Sequence, residues 1–212
     1  MPETGLHALA WLLLIDSIIT MILVSIQPFQ FKKIFLLIAG LICLSSVSCF
    51  AQSALLSVNS TPYDRQMTRI QPVLFAKSNA HQGNLSMTLV NKWIGDLRSI
   101  PYGFSPEWKT PAEVQTAPVA DCKGKAVALY DKMQLCGAQN IRLIIGRRTS
   151  MSRKTHAWLE WTIEGNTYVL DPTINWAACR VNDLGARSYI PLYAYAGAHK
   201  YRAAAATLYA KN

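Results

Sequence analysis

Residues 118–171 constrain the fold of this chain more than any other segment. From residue 126 to residue 135 the apolar side chains follow helical spacing, and Gly137 is a natural helix stop. Cys122 therefore falls where this helix should begin. The sequence predicts a helix that carries a cysteine at its N-terminus.

A strand and a hairpin follow this helix. Residues 141–147 form a buried apolar run. Residues 156–163 form an alternating run in which the side chains of His156, Trp158, Glu160 and Thr162 point one way and the apolar ones between them point the other. Residues 164–166, Glu-Gly-Asn, are a turn signal, and the returning strand 167–170 ends at Asp171. This order of one helix and three strands predicts an α+β fold.

Cys122, His156 and Asp171 together suit nucleophilic catalysis. A thiol attacks as the thiolate, which a helix N-terminus and a neighbouring imidazolium both favour. The imidazole in turn needs a partner that fixes its tautomer and stabilises its charge. Because paired strands bring residues to about 5 Å of one another, Asp171 can be that partner of His156. The spacing of Cys and His residues lacks the close pairs typical of zinc sites, which argues against zinc.

Each of these residues also has a structural alternative. Cys122 could be a small buried side chain, His156 a core histidine, and Asp171 a turn residue hydrogen-bonded to Thr173. His81 and His199 fit a base on a strand less well, because they fall in a predicted loop and a predicted tail. The residues alone leave these alternatives open.

The same motifs resemble a known family. A helix-starting Cys, His-Ala-Trp-Leu-Glu at 156–160 and Tyr-Val-Leu-Asp-Pro-Thr at 168–173 are similar to the transglutaminase-like (papain-like) fold. More narrowly, they resemble the bacterial transglutaminase-like cysteine proteinases, a group that includes periplasmic proteases of the LapG type. Residues 106–114, Pro-Glu-Trp-Lys-Thr-Pro-Ala-Glu-Val, resemble the segment that precedes the cysteine in that group. The resemblance covers residues 93–195. It implies a catalytic Cys at a helix N-terminus, packed on an antiparallel sheet that carries His and Asp, and it favours proteolysis over cross-linking.

One position departs from that family. Its calcium-dependent proteases carry acidic residues directly after the catalytic Cys, whereas here Asp121 and Cys122 are followed by Lys123 and Gly124. Calcium prefers several oxygen ligands, with carboxylates prominent. The resemblance implies calcium, but this departure predicts an enzyme that has no metal ligands and needs no cofactor.

The first 51 residues carry the features of an export signal. Residues 8–26 are mostly apolar and long enough to cross a bilayer. Two lysines then precede a second apolar run at 34–44, and a stretch of mostly small residues ends at Ala51. We favour a signal peptide cleaved after Ala51; a retained N-terminal membrane segment and lipidation at Cys49 are the alternatives. Residues 52–212 then form one cysteine peptidase domain, periplasmic or secreted, which is membrane-associated if the segment is retained.

The chain is basic, with a net charge of +9. Residues 1–51 contain two lysines and two acidic residues, so their removal leaves this charge unchanged. A basic protein attracts acidic substrates or anionic polymers of the envelope, and no nucleic-acid-binding motif is present. The predicted function is an exported cysteine peptidase or amidase that acts on a protein or peptide of the cell envelope. A cross-linking transglutaminase and a non-catalytic, membrane-tethered binding domain are the alternatives.

Other segments give weaker signals. Residues 85–100 predict an amphipathic helix with Asn84 as its cap, and residues 102–117 a loop. Residues 189–195 predict a last strand that Pro191 places at a sheet edge, and residues 200–212 an Ala-rich tail. A disulfide between Cys136 and Cys179 stays open, because connectivity cannot be deduced from sequence.

Overall fold

The structure is a computed structural model that describes residues 55–76, 85–185 and 187–204. The expected export signal at 1–51, the expected cap Asn84 and His81 lie outside the described residues. Within the described ranges, none of the helices is both long enough and apolar enough to cross a membrane.

One strand, four α-helices and six further strands follow one another in the described part of the chain. The strands are β1 (Leu55–Val58), β2 (Ile141–Thr149), β3 (His156–Ile163), β4 (Asn166–Leu170), β5 (Cys179–Arg180), β6 (Ser188–Ala196) and β7 (His199–Ala203). The α-helices are α1 (Gln71–Phe75), α2 (Met87–Ser99), α3 (Pro111–Thr116) and α4 (Cys122–Leu135). Two short 3-10 helices span Thr68–Ile70 and Val181–Asp183.

The strands form one antiparallel sheet in the order β1-β7-β6-β2-β3-β4-β5. Its central part is β2, which pairs with β6 on one side and β3 on the other. The β3–β4 hairpin closes through Glu164 and Gly165, both with positive φ (50° and 73°), as a tight two-residue turn between right-twisted strands requires. The strands that carry His156 and lead to Asp171 are therefore adjacent.

Helix α4 lies at the centre of the core. Its residues from Gly124 to Tyr130 are buried on all sides, because β2 and β3 pack against one face and the other helices against the rest. Asp121 caps its N-terminus by accepting from the backbone N–H of Gly124 at 3.1 Å. At its C-terminus Gly137 takes φ 82°, and the N–H groups of Gly137 and Ala138 bond to the carbonyls of Gln134 and Met133.

These elements confirm the predicted fold class. The protein is α+β, with Cys122 at the N-terminus of a helix that packs on an antiparallel sheet carrying His156 and, at the end of the next strand, Asp171. The predicted start at Cys122 and stop at Gly137 agree with the ends of this helix, and the alternation in residues 156–163 matches the two faces of β3. Ala157, Leu159 and Trp161 join the core shared with the helices, and Trp158 joins a smaller cluster on the other face.

Several weaker expectations were wrong. Residues 102–117 contain helix α3, where Thr110 and Glu113 form a reciprocal capping box and Pro111 opens the first turn. Ser86 caps α2 through the N–H of Leu89 at 3.2 Å.

The last strand was also misplaced. It is β7, at the start of the expected tail, where it pairs with both β6 and β1. Strand β6 is consequently an inner strand rather than an edge. Pro191 is tolerated there because the pairing of β6 with β7 runs only from Tyr193 to Ala196.

Candidate active site

Cys122 is held at the start of α4 by the segment that precedes it. Ala120 forms a parallel bridge with Tyr102; its N–H donates to the Pro101 carbonyl at 3.0 Å, and its carbonyl accepts from Gly103 at 3.3 Å. Asp121 then caps the helix. Cys122 is the first helical residue, so its backbone N–H has no acceptor inside the helix and the positive end of the helix dipole lies beside its sulfur.

Gly124 allows a second helix to approach this end of α4. A Cβ at this position would lie 3.0 Å from Cγ2 of Val114 in α3, a contact tighter than most. Val114 is fully buried. Gly124, one of the residues that depart from the calcium-dependent family pattern, is therefore explained by the packing of α3 against α4.

His156 and Asp171 meet across the β3–β4 pair. The last registered pair is Leu159 with Leu170, so Asp171 lies level with Trp158 and diagonal to His156. Diagonal neighbours are within reach of longer side chains. Nε2 of His156 and Oδ2 of Asp171 are 2.7 Å apart, and Asp171 is fully buried. The direct cross-strand pairing that the sequence suggested is thus replaced by a diagonal one with the same side-chain contact.

The structure brings Cys122 to the same imidazole. Cys122 lines the same cleft as His156, and its side chain and charge help to raise the pKa of the imidazole. Because Asp171 holds Nε2, Nδ1 is the nitrogen left for the sulfur. The three residues predicted from the sequence therefore form one connected cluster of side chains.

Asp171 has a second role in the backbone. Its Oδ1 accepts from the N–H of Thr173 at 2.9 Å, and its carbonyl accepts from the N–H groups of Ile174 and Asn175. The turn that follows is tied to α2, because Arg98 donates to the carbonyls of Thr173 and Ile174. The turn role and the contact with His156 therefore coexist, since each uses a different oxygen of the carboxylate.

Tyr189 is a residue of this site that the sequence did not indicate. Its hydroxyl lies 3.0 Å from Oδ2 of Asp171 and 3.3 Å from Oδ1 of Asn175. Its φ is +51°, a left-handed conformation that costs a non-glycine residue of order 1–3 kcal/mol. Burial, followed by the negative charge of Asp171, raises the pKa of Tyr189, so its hydroxyl stays protonated and donates.

Trp158 supports both His156 and Tyr189. Its ring stacks under the imidazole (centroids 6.1 Å apart, planes 24° apart) and meets Tyr189 edge to face at 5.3 Å. Gly146 makes room for it, since a Cβ there would lie 2.5 Å from Cη2 of Trp158 and 2.2 Å from the Ile190 carbonyl oxygen. The β2–β6 pairing also shifts register at this point. A glycine at 146 is therefore required by the close approach of backbone and indole.

The electrostatics of the cluster favour a charged imidazole. Burial lowers the pKa of His156, but the hydrogen bonds to Asp171 and Cys122 and the charges of those partners outweigh it and raise the pKa to about 9. Burial alone would raise the pKa of Asp171, yet the hydrogen bond and charge of His156, with Thr173 and Tyr189, lower it. At neutral pH the pair is therefore an imidazolium and a carboxylate.

Lys123 places a cation beside the nucleophile. Its ammonium forms an ion pair with the buried carboxylate of Asp121, donates to the Ser105 carbonyl at 2.6 Å and lies 5.1 Å above the Phe104 ring. The N–H of Ser105 also donates to Asp121, at 3.2 Å. The oxygens that could ligate calcium next to Cys122 already bind this ammonium, so the residues present do not fit a calcium ion.

The described residues contain three cysteines and no cluster suited to a metal ion. In the ranges that the structure describes, no group of three or more His, Cys, Asp or Glu side chains could hold a metal ion. Cys122, Cys136 and Cys179 are all free thiols. The disulfide that the sequence left open between Cys136 and Cys179 is therefore not formed in this structure.

A cleft of about 660 Å³ opens above the cluster, within the range of binding pockets in general. Cys122 and His156 both line it. Much of the remaining lining comes from aromatic residues in the segments before Cys122 and from the loop just before His156; it includes Tyr63, Tyr102, Phe104, Trp108, Arg153 and Lys154. The thiol and the imidazole are thus accessible to a bound molecule.

Fold and contacts define an α+β protein with a Cys-His-Asp cluster at the start of its central helix. No protein-family model matches the sequence, and no curated protein matches it. The chain is similar to solved structures of LapG from Legionella pneumophila, each 15% identical in sequence. The EGTA-treated form gives a TM-score of 0.49 over 68% of this chain and 80% of that chain. A second LapG structure gives 0.46 over 64% and 77%, and the calcium-bound form gives 0.45 over 72% and 83%.

Proposed function

We propose that this chain is an exported cysteine peptidase or amidase that acts by thiol acyl transfer. Cys122 is the nucleophile, His156 the general base and acid, and Asp171 the carboxylate that orients the imidazole. The observation that carries this proposal is one imidazole placed between both partners: its Nε2 lies 2.7 Å from the Asp171 carboxylate, and the imidazole lines the same cleft as Cys122, whose side chain helps to raise its pKa. This is the arrangement that activates a thiol nucleophile.

The reaction follows from this arrangement. The Cys122 thiolate attacks the carbonyl carbon of an amide, and the oxygen that becomes negative accepts from the backbone N–H of Cys122 at the helix start. The C–N bond then breaks, and the imidazolium of His156 gives its proton to the leaving amine. The imidazole next takes a proton from water, whose oxygen attacks the thioester, and the carboxylic acid and the thiolate are released.

The charges of the cleft favour hydrolysis over cross-linking. Transamidation needs an amine, and a lysine side chain reaches the cleft as an ammonium ion. Arg153, Lys154 and the His156 imidazolium would repel it, and the carboxylate of Asp121 in the lining is buried and paired with Lys123. Water carries no such penalty, so a peptidase or amidase is the better-supported function.

The remaining parts of the proposal concern location and partners. Residues 1–51 act as a signal peptide or an N-terminal membrane segment, and residues 52–212 are the peptidase domain. The enzyme works in the periplasm or outside the cell on a protein or peptide of the envelope, without nucleic acid and without a required metal. A non-catalytic binding domain would not need the contact of Cys122 with His156.

The proposal is tested with envelope protein extracts incubated with the purified chain and a biotinylated alkylamine. New protein N-termini, labelled and identified by mass spectrometry, are expected with the wild type and not with Cys122→Ala. Cys136→Ala, which removes a free thiol outside the cleft, should match the wild type. Amine incorporation without new N-termini would identify a transglutaminase instead. If neither new N-termini nor incorporated amine is detected, the chain is a non-catalytic binding domain.

A further inference from the structure

The cleft above Cys122 carries positive charge that the protein itself does not balance. Arg153 and Lys154 line it, both are exposed, and neither belongs to an ion pair within the described residues. The acidic member of the described lining, Asp121, is fully buried and already paired with Lys123. A ligand in the cleft therefore meets two cations without a protein carboxylate to compensate them.

The position of these cations in the chain sets where on a substrate they act. Lys154 and Arg153 precede His156 by two and three residues. Because an extended chain spans at most about 3.6 Å per residue, their Cα atoms lie within about 7 Å and about 11 Å of the Cα of His156. A substrate in extended conformation covers that span with two or three residues. A carboxylate that meets them therefore belongs to a residue close to the bond that Cys122 attacks.

Aromatic side chains form another part of the lining. Tyr63, Tyr102, Phe104 and Trp108 all contribute to it. Phe104 is 77% exposed and Tyr102 is 59% exposed, which is high for large apolar side chains, and exposed apolar patches commonly mark binding surfaces. The ammonium of Lys123 above the Phe104 ring helps to fix this surface. It suits an apolar side chain of a bound ligand.

On the basis of the peptidase function above, we propose that the cleft selects a polypeptide segment with two features. An apolar side chain packs against the aromatic residues of the lining. An Asp or Glu carboxylate within three residues of the scissile bond pairs with Arg153 and Lys154. These two basic residues are specificity-determining, and the net charge of +9 adds a long-range attraction to the same substrates.

Binding to the inactive full-length variant Cys122→Ala tests this selection. The probes are fluorescein-labelled decapeptides of alanine with one central leucine, which carry Glu, or Gln in its place, at each position around that leucine. We expect Glu to bind about two- to fivefold more tightly than Gln at one or two positions, the upper part of the range for exposed charge pairs. Arg153→Glu with Lys154→Glu should abolish the preference. Arg147→Glu with Arg187→Glu makes the same change of charge at exposed arginines outside the lining and should retain it.

Equal binding of the Glu and Gln peptides would overturn the proposal. It would also be overturned if Arg147→Glu with Arg187→Glu lost the Glu preference to the same extent, because the preference would then come from the overall charge of the protein. Cleavage of the same peptides by the wild type separates this proposal from the peptidase function. A Glu preference in binding without any cleavage supports the selection and overturns the peptidase. Cleavage without a Glu preference supports the peptidase function and overturns the selection of acidic segments.

Discussion

Replacing Asp171 with asparagine removes the negative charge beside His156 but keeps the size of the side chain. In the wild type, Oδ2 faces His156 at 2.7 Å and Tyr189 at 3.0 Å, while Oδ1 accepts from Thr173 at 2.9 Å. If the asparagine oxygen keeps the bond from Thr173, its NH₂ group faces two donors. The imidazole then loses both the charge and the acceptor that fix its protonated state.

The size of the effect follows from the pKa of His156. The ordinary value is 6.5 and the value in this site is about 9, a difference worth roughly 3 kcal/mol. Burial lowers this pKa, whereas Asp171 and Cys122 together raise it, so the loss of the Asp171 charge leaves Cys122 alone to oppose burial. We expect the pKa of His156 to fall by at least about one unit.

The pKa is measured directly by NMR titration of ring-labelled histidines, with the His156 signal assigned through its absence in His156→Gln. A pKa that stays near 9 in Asp171→Asn would show that Asp171 does not hold the imidazolium. Turnover should fall on the order of a hundredfold. The double variant of His156→Ala with Asp171→Asn should be scarcely slower than His156→Ala alone. If the turnover losses of the two single variants instead multiply in full in the double variant, Asp171 does not act through His156.

The same shift makes stability depend on pH. The pKa of His156 is higher in the folded than in the unfolded chain, so the folded state binds more protons between about pH 6.5 and pH 9. This contribution is complete below about pH 6.5 and is lost as the pH rises through about 9. Urea unfolding of the wild type should therefore show a decline in stability over that window, and Asp171→Asn should show a weaker one.

Three further outcomes are expected. Tyr189→Phe should lower kcat several-fold and leave KM unchanged, because it removes a donor to Asp171 without touching the cleft; a change in KM alone would refute a positioning role. EGTA should leave activity unchanged, since the ammonium of Lys123 occupies the position next to the nucleophile, and restoration by calcium after EGTA inhibition would contradict this. Gly146→Ala should destabilise the fold by about 3 kcal/mol in urea unfolding. Gly95→Ala, with nothing within 4 Å of the added Cβ, should instead stabilise helix α2 by about 0.5–1 kcal/mol. If both variants change the free energy of unfolding by the same amount, the crowding at Gly146 is not what requires a glycine there.

The predictable part of this site rests on local signals. The cap at Asp121, the stop at Gly137 and the turn at Glu164 and Gly165 each involve residues close in sequence, so the central helix and the hairpin could be predicted without long-range information. The start of α4 and the end of β4 then bring Cys122 and Asp171 to the same place.

The rest depends on long-range pairing or on a segment whose local signals conflict. Tyr189 reaches Asp171 because β6 lies beside β2, and nothing near Tyr189 in the sequence indicates that neighbour or its left-handed backbone. Helix α3 did have a local signal, the capping box of Thr110 and Glu113, but its prolines suggested a loop. The ion pair of Lys123 with Asp121 likewise required the structure, because two residues apart on an ordinary helix do not face each other.

The three free thiols of the described chain permit the most direct test of the central claim. We expect iodoacetamide at pH 6 to modify Cys122 much faster than Cys136 or Cys179, because Cys122 lies at the start of helix α4 in the same cleft as His156, while burial raises the pKa of Cys179. Peptide mapping of the alkylated protein measures all three rates in one sample. His156→Ala should reduce the rate at Cys122 to that of the other two cysteines and abolish peptide cleavage. Equal rates in the wild type, or a Cys122 rate that His156→Ala leaves unchanged, would contradict the assignment of Cys122 as the activated nucleophile.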